Sequence, residues 1–192
     1  MGTVILGTGS CVPEREMTNA DLETVVDTND EWIRTRTGIE SRRIGGAGEK
    51  TYQLASKAAA KALEMAGVSA EELDLLIVGT ISSHMIMPST ACFVQSEIGA
   101  VHAFAYDVNA ACSGFLYGLD IADKHVRVDN DSKVLVIGAE TLSSRLNWQD
   151  RNTCILFGDG AGAAVVGHCS EDNRDILGAN HCSDGELWEL LY

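Results

Sequence analysis

Short apolar runs that favour β-strands alternate with helix-like segments along the sequence, and this order constrains the fold more than any other feature. The helix patterns occupy residues 51–65, 88–98 and 110–126, with two shorter helices before Gly38. The strand patterns lie at residues 4–9, 73–80, 103–108, 133–138, 153–157, 160–167 and 176–182. Chains that interleave the two element types form layered α/β folds, because each helix packs back on a sheet made by the neighbouring strands.

The helices carry their own start and stop signals. Thr18 and Asp21 have the spacing of a capping box, in which each side chain accepts a backbone N–H of the other residue. The Ala-rich stretch at residues 51–65 is followed by Gly67, which favours the left-handed turn that ends many helices. We therefore expect helix boundaries at these places, and a functional loop where the sequence becomes polar and irregular at residues 141–152.

The charge balance argues against two classes of partner. The 192 residues carry a formal net charge of -14, whereas binding to nucleic acid or to an anionic membrane needs clustered Lys and Arg. The first residues also lack the basic and long apolar regions of a secretion signal. We expect one globular, cytoplasmic unit that binds neither nucleic acid nor membrane.

The cysteines form no metal or disulfide pattern. They lie at irregular positions, 11, 92, 112, 154, 169 and 182, mostly inside apolar runs, and no pair has CxxC spacing. In such a setting cysteine is typically a small, reduced, apolar residue. We therefore expect no disulfide framework, no zinc site and no redox chemistry.

Cys112 occupies a special position in the sequence DVNAACSGF at residues 107–115. A strand pattern ends just before it, small residues surround it, and an apolar helix pattern follows. A thiol at a helix N-terminus lies near unpaired backbone N–H groups and the positive end of the helix dipole, which stabilise a thiolate and a developing oxyanion. We expect Cys112 to be buried at such a terminus, although by position alone a cysteine that only packs in the core is the commoner case.

The sequence AACSGF at residues 110–115 resembles the nucleophile motif of the condensing enzymes called 3-oxoacyl-acyl-carrier-protein synthase III. Further segments resemble this family in order and spacing: GTGS at residues 7–10 with Pro13, TNADL at 18–22, DEWIRTRTGI at 30–39, and FGDGAGAAV at 157–165 as a late hairpin. The resemblance covers nearly the whole chain. It implies an α/β, thiolase-like layered fold, in which this chain forms one βαβαβαββ-type half of a two-half αβαβα architecture.

The resemblance implies that Cys112 becomes acylated and that a second group of residues holds coenzyme A at the mouth of a tunnel. These residues are Thr28, Trp32, Arg36, Thr37, Arg151 and Asn152. In the family, Trp32 and Arg151 would sandwich the adenine, and Arg36 would lie near the phosphates. Aromatic rings and guanidinium groups suit both tasks.

Some of these assignments have a plain structural alternative. Outside this motif Trp32 would be a core or rim residue, and Thr28 and Thr37 also suit helix boundaries. Asn152 departs from the Gly that is common at this place in the family, which weakens the expectation of a nucleotide contact. Asn nevertheless tolerates the left-handed conformation that such a turn needs.

The resemblance also implies an acyl pocket lined by Met87, Leu142 and Phe157. Met87 stands where many members carry an aromatic residue that reaches into the pocket of the partner subunit. Because Met is unbranched and adaptable, this change would admit a broader range of acyl chains. Ordinary core or interface packing explains the same three residues equally well.

The implied reaction has two steps: Cys112 takes an acyl group from acyl-CoA, and a carbanion from decarboxylated malonyl-acyl carrier protein then attacks it. The coenzyme A thioester is a substrate, and the chemistry needs no metal or other cofactor. The partners would be acyl-CoA, malonyl-acyl carrier protein and a second copy of the chain, since residues 103–108 resemble the edge strand that pairs across the family's two-fold axis.

In the family, the His and Asn that act in condensation belong to the second half. Residues 1–170 would form the N-terminal half with the nucleophile, and residues 171–192 the start of the second half, with HCSDG at 181–185 resembling its entry. The rest of that half would lie in the same or another chain. Two alternatives stay open: a related Cys acyltransferase of secondary metabolism or of the hydroxymethylglutaryl-CoA synthase type, and a noncatalytic half-domain of a heteromeric synthase.

Overall fold

A computed structural model describes residues 2–170 and 175–190, and a five-stranded mixed sheet forms its centre. The strands are β1 (Gly2–Cys11), β2 (Glu16–Thr18), β3 (Ser41–Arg43), β4 (Leu75–Gly79), β5 (Phe104–Val108), β6 (Val134–Thr141) and β7 (Asp159–Cys169). The α-helices are α1 (Asn19–Glu23), α2 (Asp30–Thr37), α3 (Thr51–Ala66), α4 (Thr90–Ile98) and α5 (Gly114–Val128). Apart from β2, β3, α1 and α2, the chain order is β1-α3-β4-α4-β5-α5-β6-β7, which confirms the predicted βαβαβαββ pattern.

The central sheet has the strand order β1-β7-β6-β4-β5. β4 runs parallel to both of its neighbours, β5 and β6, whereas β7 is antiparallel to β6 and to β1. Every residue of β4 is buried, as expected for a central strand that is covered on both faces. Within the described residues β5 has a neighbour on one side only, so the prediction of an edge strand at residues 103–108 is confirmed.

Helices cover both faces of this sheet. α3 and α4 pack on one face, against β4 side chains such as Leu76, and α5 covers the other face, against side chains such as Ile77. Adjacent residues of a strand point to opposite faces, so these two neighbours belong to two separate apolar cores. Within the part of the chain that the structure describes, no helix combines the length and the apolar character that a membrane crossing would require.

The helix boundaries predicted at Thr18, Gly38 and Gly67 agree with the structure, whereas α4 and α5 begin two and four residues later than predicted. Thr18 and Asp21 form the expected capping box at the start of α1. Gly38 and Gly67 end α2 and α3 in the left-handed conformation, with φ of 73° and 66°. The cap of α2 is Asn29, whose side chain accepts the backbone N–H of Trp32 at 2.8 Å, so Thr28 lies just outside that helix.

A small lobe beside the sheet consists of the antiparallel strand pair β2–β3 and the two helices between them, α1 and α2. Arg42 of β3 is buried at its centre and donates hydrogen bonds to Met17 O, Asn19 Oδ1 and Ile155 O at 2.9–3.3 Å. Removal from water lowers the pKa of this guanidinium. β2 and β3 were not predicted, because three residues per strand are too few to show a period.

Two predicted strands are wrong, and with them the predicted late hairpin. Residues 153–157 form a turn in which Cys154 N donates to Asp150 O at 3.0 Å, and Cys154 and Ile155 are buried in the small lobe. Their apolar character therefore reflects burial in this lobe and not a position in the sheet. Residues 176–182 run without strand pairing, and Ile176 N donates to Thr3 O at 2.9 Å.

Candidate active site

Cys112 lies on a sharp elbow between a strand and a helix. β5 ends at Val108, a single 3-10 turn spans Ala111–Ser113, and α5 begins at Gly114, so the predicted position at the N-terminal end of a helix is confirmed. Ala111 has φ of 45°, in the left-handed region where a residue with a Cβ is strained. Such strain concentrates at functional sites, and nothing in the sequence had marked this residue.

The elbow leaves a backbone donor free at the cysteine. Ser113 N donates to Ala110 O at 3.0 Å, and Gly114 N donates to Ala111 O. In the described part of the chain, the N–H of Cys112 itself has no backbone acceptor. The thiol is therefore attached to a residue with an unused N–H, close to the positive end of the α5 dipole.

Glycines allow the start of α5 to lie directly against the sheet. A Cβ on Gly79, at the end of β4, would lie 2.7 Å from the carbonyl carbon of Gly114 and 2.9 Å from Phe115 N. A Cβ on Gly118 would lie 2.7 Å from a methyl group of Val136. These contacts are shorter than van der Waals distance, so glycine is required where the helix that follows Cys112 crosses β4 and β6.

A cavity of about 430 Å³ opens beside Cys112 at the carboxyl ends of β4 and β6. Its lining is mostly apolar and consists of Gly79, Ile81, Ala111, Cys112, Phe115, Gly138, Ala139, Glu140, Leu142, Leu146 and Phe157. This is the edge at which parallel α/β sheets bind ligands. The predicted pocket residues Leu142 and Phe157 thus share one cavity with Cys112, whereas Ile81, Leu146 and Glu140 were not foreseen.

Cys112 is exposed, which corrects the expectation that it is buried. The described residues wall the cavity from the sheet and from the loop after β6, and none of them covers Ala111 and Cys112 from the opposite side. Its position at a helix terminus follows from local sequence. Whether the Cys112 side chain is buried or exposed depends on which other parts of the chain pack over it, and local sequence does not specify this.

Trp32, Arg36 and Arg151 come together, as the sequence interpretation expected. The guanidinium carbon of Arg36 lies 4.5 Å from the Trp32 ring centre, and that of Arg151 lies 4.9 Å from it. Arg151 also donates to Asp27 O at 3.3 Å. A base stacked between Trp32 and Arg151 needs two contacts of about 3.5 Å each, so Arg151 must move outward by roughly 2 Å to admit it.

The three weaker candidates for the nucleotide site differ in their surroundings. Thr28 Oγ1 is buried and has no hydrogen-bond partner among the described residues, so its hydrogen-bonding capacity is unused there. Thr37 Oγ1 donates to Ile33 O at 2.8 Å and accepts from Ile39 N at 3.0 Å, so it stabilises the end of α2. Asn152 is exposed in a turn and donates its N–H to Asp150.

A buried carboxylate holds the loop that connects the cavity to this cluster. Asp159, at the start of β7, accepts from Gly45 N at 2.6 Å and from Ser143 N at 2.9 Å. Ser143 directly follows Leu142 of the cavity, and its carbonyl accepts from Trp148 Nε1 at 3.2 Å. Asp159 therefore fixes one end of the loop that carries Arg151, a role that the sequence did not reveal.

Met87 does not line the cavity of its own chain. Its side chain is 83% exposed, in the segment between β4 and α4, beside the fully exposed Ile86. This location leaves the predicted contact with a partner subunit as a prediction.

No group of His, Cys, Asp or Glu within the described residues could hold a metal ion, and the five cysteines whose side chains are described are free thiols.

Comparison with known proteins agrees with this site. The family described as 3-oxoacyl-[acyl-carrier-protein] synthase III matches residues 106–185, which include Cys112. A beta-ketoacyl-[acyl-carrier-protein] synthase III from Desulfotalea psychrophila is 60% identical over 192 residues, which is 100% of this chain and 59% of that protein. The chain thus spans somewhat less than two thirds of the length of this relative.

Solved structures show the same relationship in three dimensions. The 3-oxoacyl-[acyl-carrier-protein] synthase III from Aquifex aeolicus superposes with a TM-score of 0.86 at 52% identity, over 88% of this chain and 55% of that one. The priming beta-ketosynthase of the R1128 polyketide pathway superposes with a TM-score of 0.84 at 41% identity, over 86% of this chain and 49% of that one.

A mixed sheet between helices, with a cysteine on a strained elbow at its carboxyl edge, is the thiolase-like fold of the solved synthases that superpose on this chain. Over its whole length, the chain is similar to enzymes of the 3-oxoacyl-[acyl-carrier-protein] synthase III family.

Proposed function

We propose that this chain supplies the nucleophile of an initiating condensing enzyme of fatty-acid synthesis, an acyltransferase that acts on acyl-CoA. The observation that carries the proposal is the position of Cys112. Its thiol lies at a helix N-terminus, next to a free backbone N–H, on the wall of an apolar cavity. This combination serves acyl transfer, because the thiolate, the oxyanion and the acyl chain each have a suitable neighbour.

In the acylation step the Cys112 thiolate attacks the thioester carbonyl of acyl-CoA. A carbon–sulfur bond forms, the carbonyl oxygen becomes an oxyanion near the N–H of Cys112, and collapse of this intermediate expels the thiolate of coenzyme A. The acyl chain then occupies the cavity beside Phe157 and Leu142. A coenzyme A thioester is therefore the substrate, and these groups perform the step without a cofactor.

The nucleotide end of coenzyme A is assigned to the cluster of Trp32, Arg36 and Arg151. The two guanidinium groups already contact the Trp32 ring, and both can pair with phosphate or stack on a base. Thr28, with its unpaired buried hydroxyl, adds a hydrogen-bonding group to this site. We give Thr37 and Asn152 weaker roles: the Thr37 hydroxyl already donates to Ile33 O, and Asn152 is an exposed turn residue whose backbone N–H donates to Asp150.

Condensation requires a second set of groups. We propose that they lie in a second half of the enzyme, in the same or another chain, and that malonyl-acyl carrier protein supplies the carbanion after it loses CO₂. Residues 1–170 would be the nucleophile-bearing half, and residues 171–192 the start of the next. A cytoplasmic location agrees with these substrates and stays a prediction.

The edge of the sheet supports a homodimer. β5 presents unpaired backbone groups together with Phe104, whose side chain is 55% exposed and stacks on Tyr106 at 6.2 Å. An exposed apolar edge strand invites pairing with another strand. We propose that a second copy pairs here and that Met87 reaches toward the cavity of that copy; sedimentation as a compact monomer would argue against both points.

A second candidate function is supported by the structure of the polyketide priming ketosynthase at 41% identity. In that case the acyl-transfer chemistry at Cys112 would be the same, and the carrier protein would differ. Competition between a fatty-acid and a polyketide carrier protein, each loaded with malonate, separates the two readings.

A condensation assay tests the proposal. The 192-residue chain is incubated with acetyl-CoA and malonyl-acyl carrier protein, and the 3-oxoacyl product is measured with and without added second half. We expect acylation by the chain alone and condensation only when the second half is present. Loss of one oxyanion or carbonyl donor typically costs about a hundred- to a thousand-fold in rate, so condensation by the verified 192-residue chain would contradict the assignment.

A further inference from the structure

Glu140 places a carboxylate in the wall of the cavity that contains Cys112. Among the lining side chains, it is the only one with a carboxyl group, and the others are apolar apart from the Cys112 thiol. Glu140 is the second-last residue of β6, at the carboxyl end of the strand where the cavity lies. A charge at this place faces whatever group occupies the cavity.

Hydrogen bonds fix the position of this carboxylate. Ile81 N donates to Glu140 Oε1 at 2.9 Å, and the hydroxyls of Ser82 and Thr80 donate to Oε2. Ser82 Oγ in turn accepts from Thr141 N at 2.8 Å. Ser82 is buried, and its hydroxyl both donates to Glu140 and accepts from Thr141 N. The Glu140 carboxylate therefore cannot rotate out of this position without breaking these hydrogen bonds.

No cation compensates the charge within the described residues. Arg145, on the loop after β6, donates to Ser83 O at 2.7 Å and does not line the cavity. The described ion pairs of the chain do not include Glu140. The cavity therefore combines an apolar lining with one uncompensated negative charge.

We propose that Glu140 is a specificity-determining residue that restricts acylation of Cys112 to uncharged acyl groups and excludes acyl groups with a free carboxylate. An anionic acyl group would lose water in an apolar cavity and would also be repelled by the fixed charge of Glu140. An uncharged acyl group meets neither cost. This inference rests on the proposed function, and it separates the acyl donor of the first step from the malonyl donor of the second, although both are thioesters.

Two thioesters of the same shape test the idea. Isovaleryl-CoA and malonyl-CoA each carry a branched three-atom group after the methylene carbon, uncharged in the first and anionic in the second. The initial rate of acylation at Cys112 is measured for both by peptide mass spectrometry, and malonyl adducts are counted together with the acetyl adducts that form after loss of CO₂. In the wild type we expect isovaleryl-CoA to be preferred by about a hundredfold or more.

The matched variants are Glu140→Gln, which removes the charge and keeps an acceptor for Ile81 N, and Glu140→Asp, which keeps the charge. We expect Glu140→Gln to reduce the preference at least tenfold, about 1.4 kcal/mol, and Glu140→Asp to retain it. An unchanged preference in a folded Glu140→Gln protein would overturn the inference. Near-equal rates for the two thioesters in the wild type would overturn it without any variant.

The same assay distinguishes failure of the inference from failure of the proposed function. Acylation of Cys112 by isovaleryl-CoA without discrimination against malonyl-CoA contradicts the role of Glu140 alone. Absence of any acylation at Cys112 by either isovaleryl-CoA or acetyl-CoA contradicts the proposed function as well.

Discussion

Replacement of Gly79 by Ala perturbs the elbow from the sheet side. The added Cβ would lie 2.7 Å from the carbonyl carbon of Gly114, whereas an ordinary carbon–carbon contact is about 3.5 Å. The start of α5 must therefore retreat by roughly 0.8 Å, the difference between 3.5 and 2.7 Å. The neighbouring atoms belong to the backbone of Gly114 and Phe115, so no side-chain rotation relieves the contact.

Two measurements should respond to this displacement. Overpacking of a core typically costs about 1–3 kcal/mol, and we expect Gly79→Ala to lower the free energy of unfolding in urea by that amount. A displacement near 1 Å can cost about a hundredfold in rate, so the initial rate of Cys112 acylation by acetyl-CoA should fall more than tenfold in protein that is still folded.

Gly162→Ala is the matched control. Gly162 lies in β7 of the same sheet, and a Cβ added there has no heavy atom within 4 Å, so both the stability and the acylation rate should stay close to wild type. If Gly79→Ala acylates Cys112 as fast as Gly162→Ala does, the helix start does not need its contact with β4. The account of the elbow would then be wrong.

Three further predictions follow from the described contacts. Trp32→Ala and Arg151→Ala should raise the KM for acyl-CoA and leave alkylation of Cys112 by iodoacetamide unchanged, since Arg151 contacts the Trp32 ring and Asp27 and not the cavity of Cys112. Equal loss of alkylation would indicate misfolding. Iodoacetamide should label the exposed Cys112 and Cys182 before the buried Cys154. Burial, and to a lesser extent the charge of Asp150, raise the pKa of the Cys154 thiol, so its thiolate forms only at higher pH. A peptide-resolved time course in which Cys154 is labelled first would refute this. Arg42→Ala should lower the free energy of unfolding by about 1–3 kcal/mol, since it leaves buried acceptors unpaired. Arg43→Ala removes only an exposed ion pair with Glu16 and should lower it by less than about 1 kcal/mol. Similar unfolding midpoints of the two variants in urea would contradict the role of Arg42.

Features set by local sequence were predictable. The capping box of α1 and the glycine after α3 depend on residues a few positions apart, and a run of apolar residues fixed each buried strand of the sheet. The order of these elements was enough for the layered fold. The motif around Cys112 was likewise enough to place it at the start of α5.

Features set by tertiary contacts were not predictable. The apolar segment around Cys154 and Ile155 has the composition of a strand, yet these residues pack in the small lobe. Met17 of β2 contacts the same apolar cluster, and buried Arg42 donates a hydrogen bond to Ile155 O. The strained φ of Ala111 and the position of Glu140 in the cavity also result from elements that meet only after folding. For the same reason the exposure of Cys112 could not be inferred from its sequence neighbours.

The site of acylation is the measurement that tests the central claim most directly. The protein is incubated with isotope-labelled acetyl-CoA, digested, and analysed by mass spectrometry for the peptide that carries the label. Cys182 serves as an internal control, because its side chain is also exposed but it lies outside the cavity. We expect label on Cys112, its loss in Cys112→Ala, and its persistence in Cys182→Ala. Label on Cys182 in place of Cys112, or persistence of the label in folded Cys112→Ala, would contradict the account.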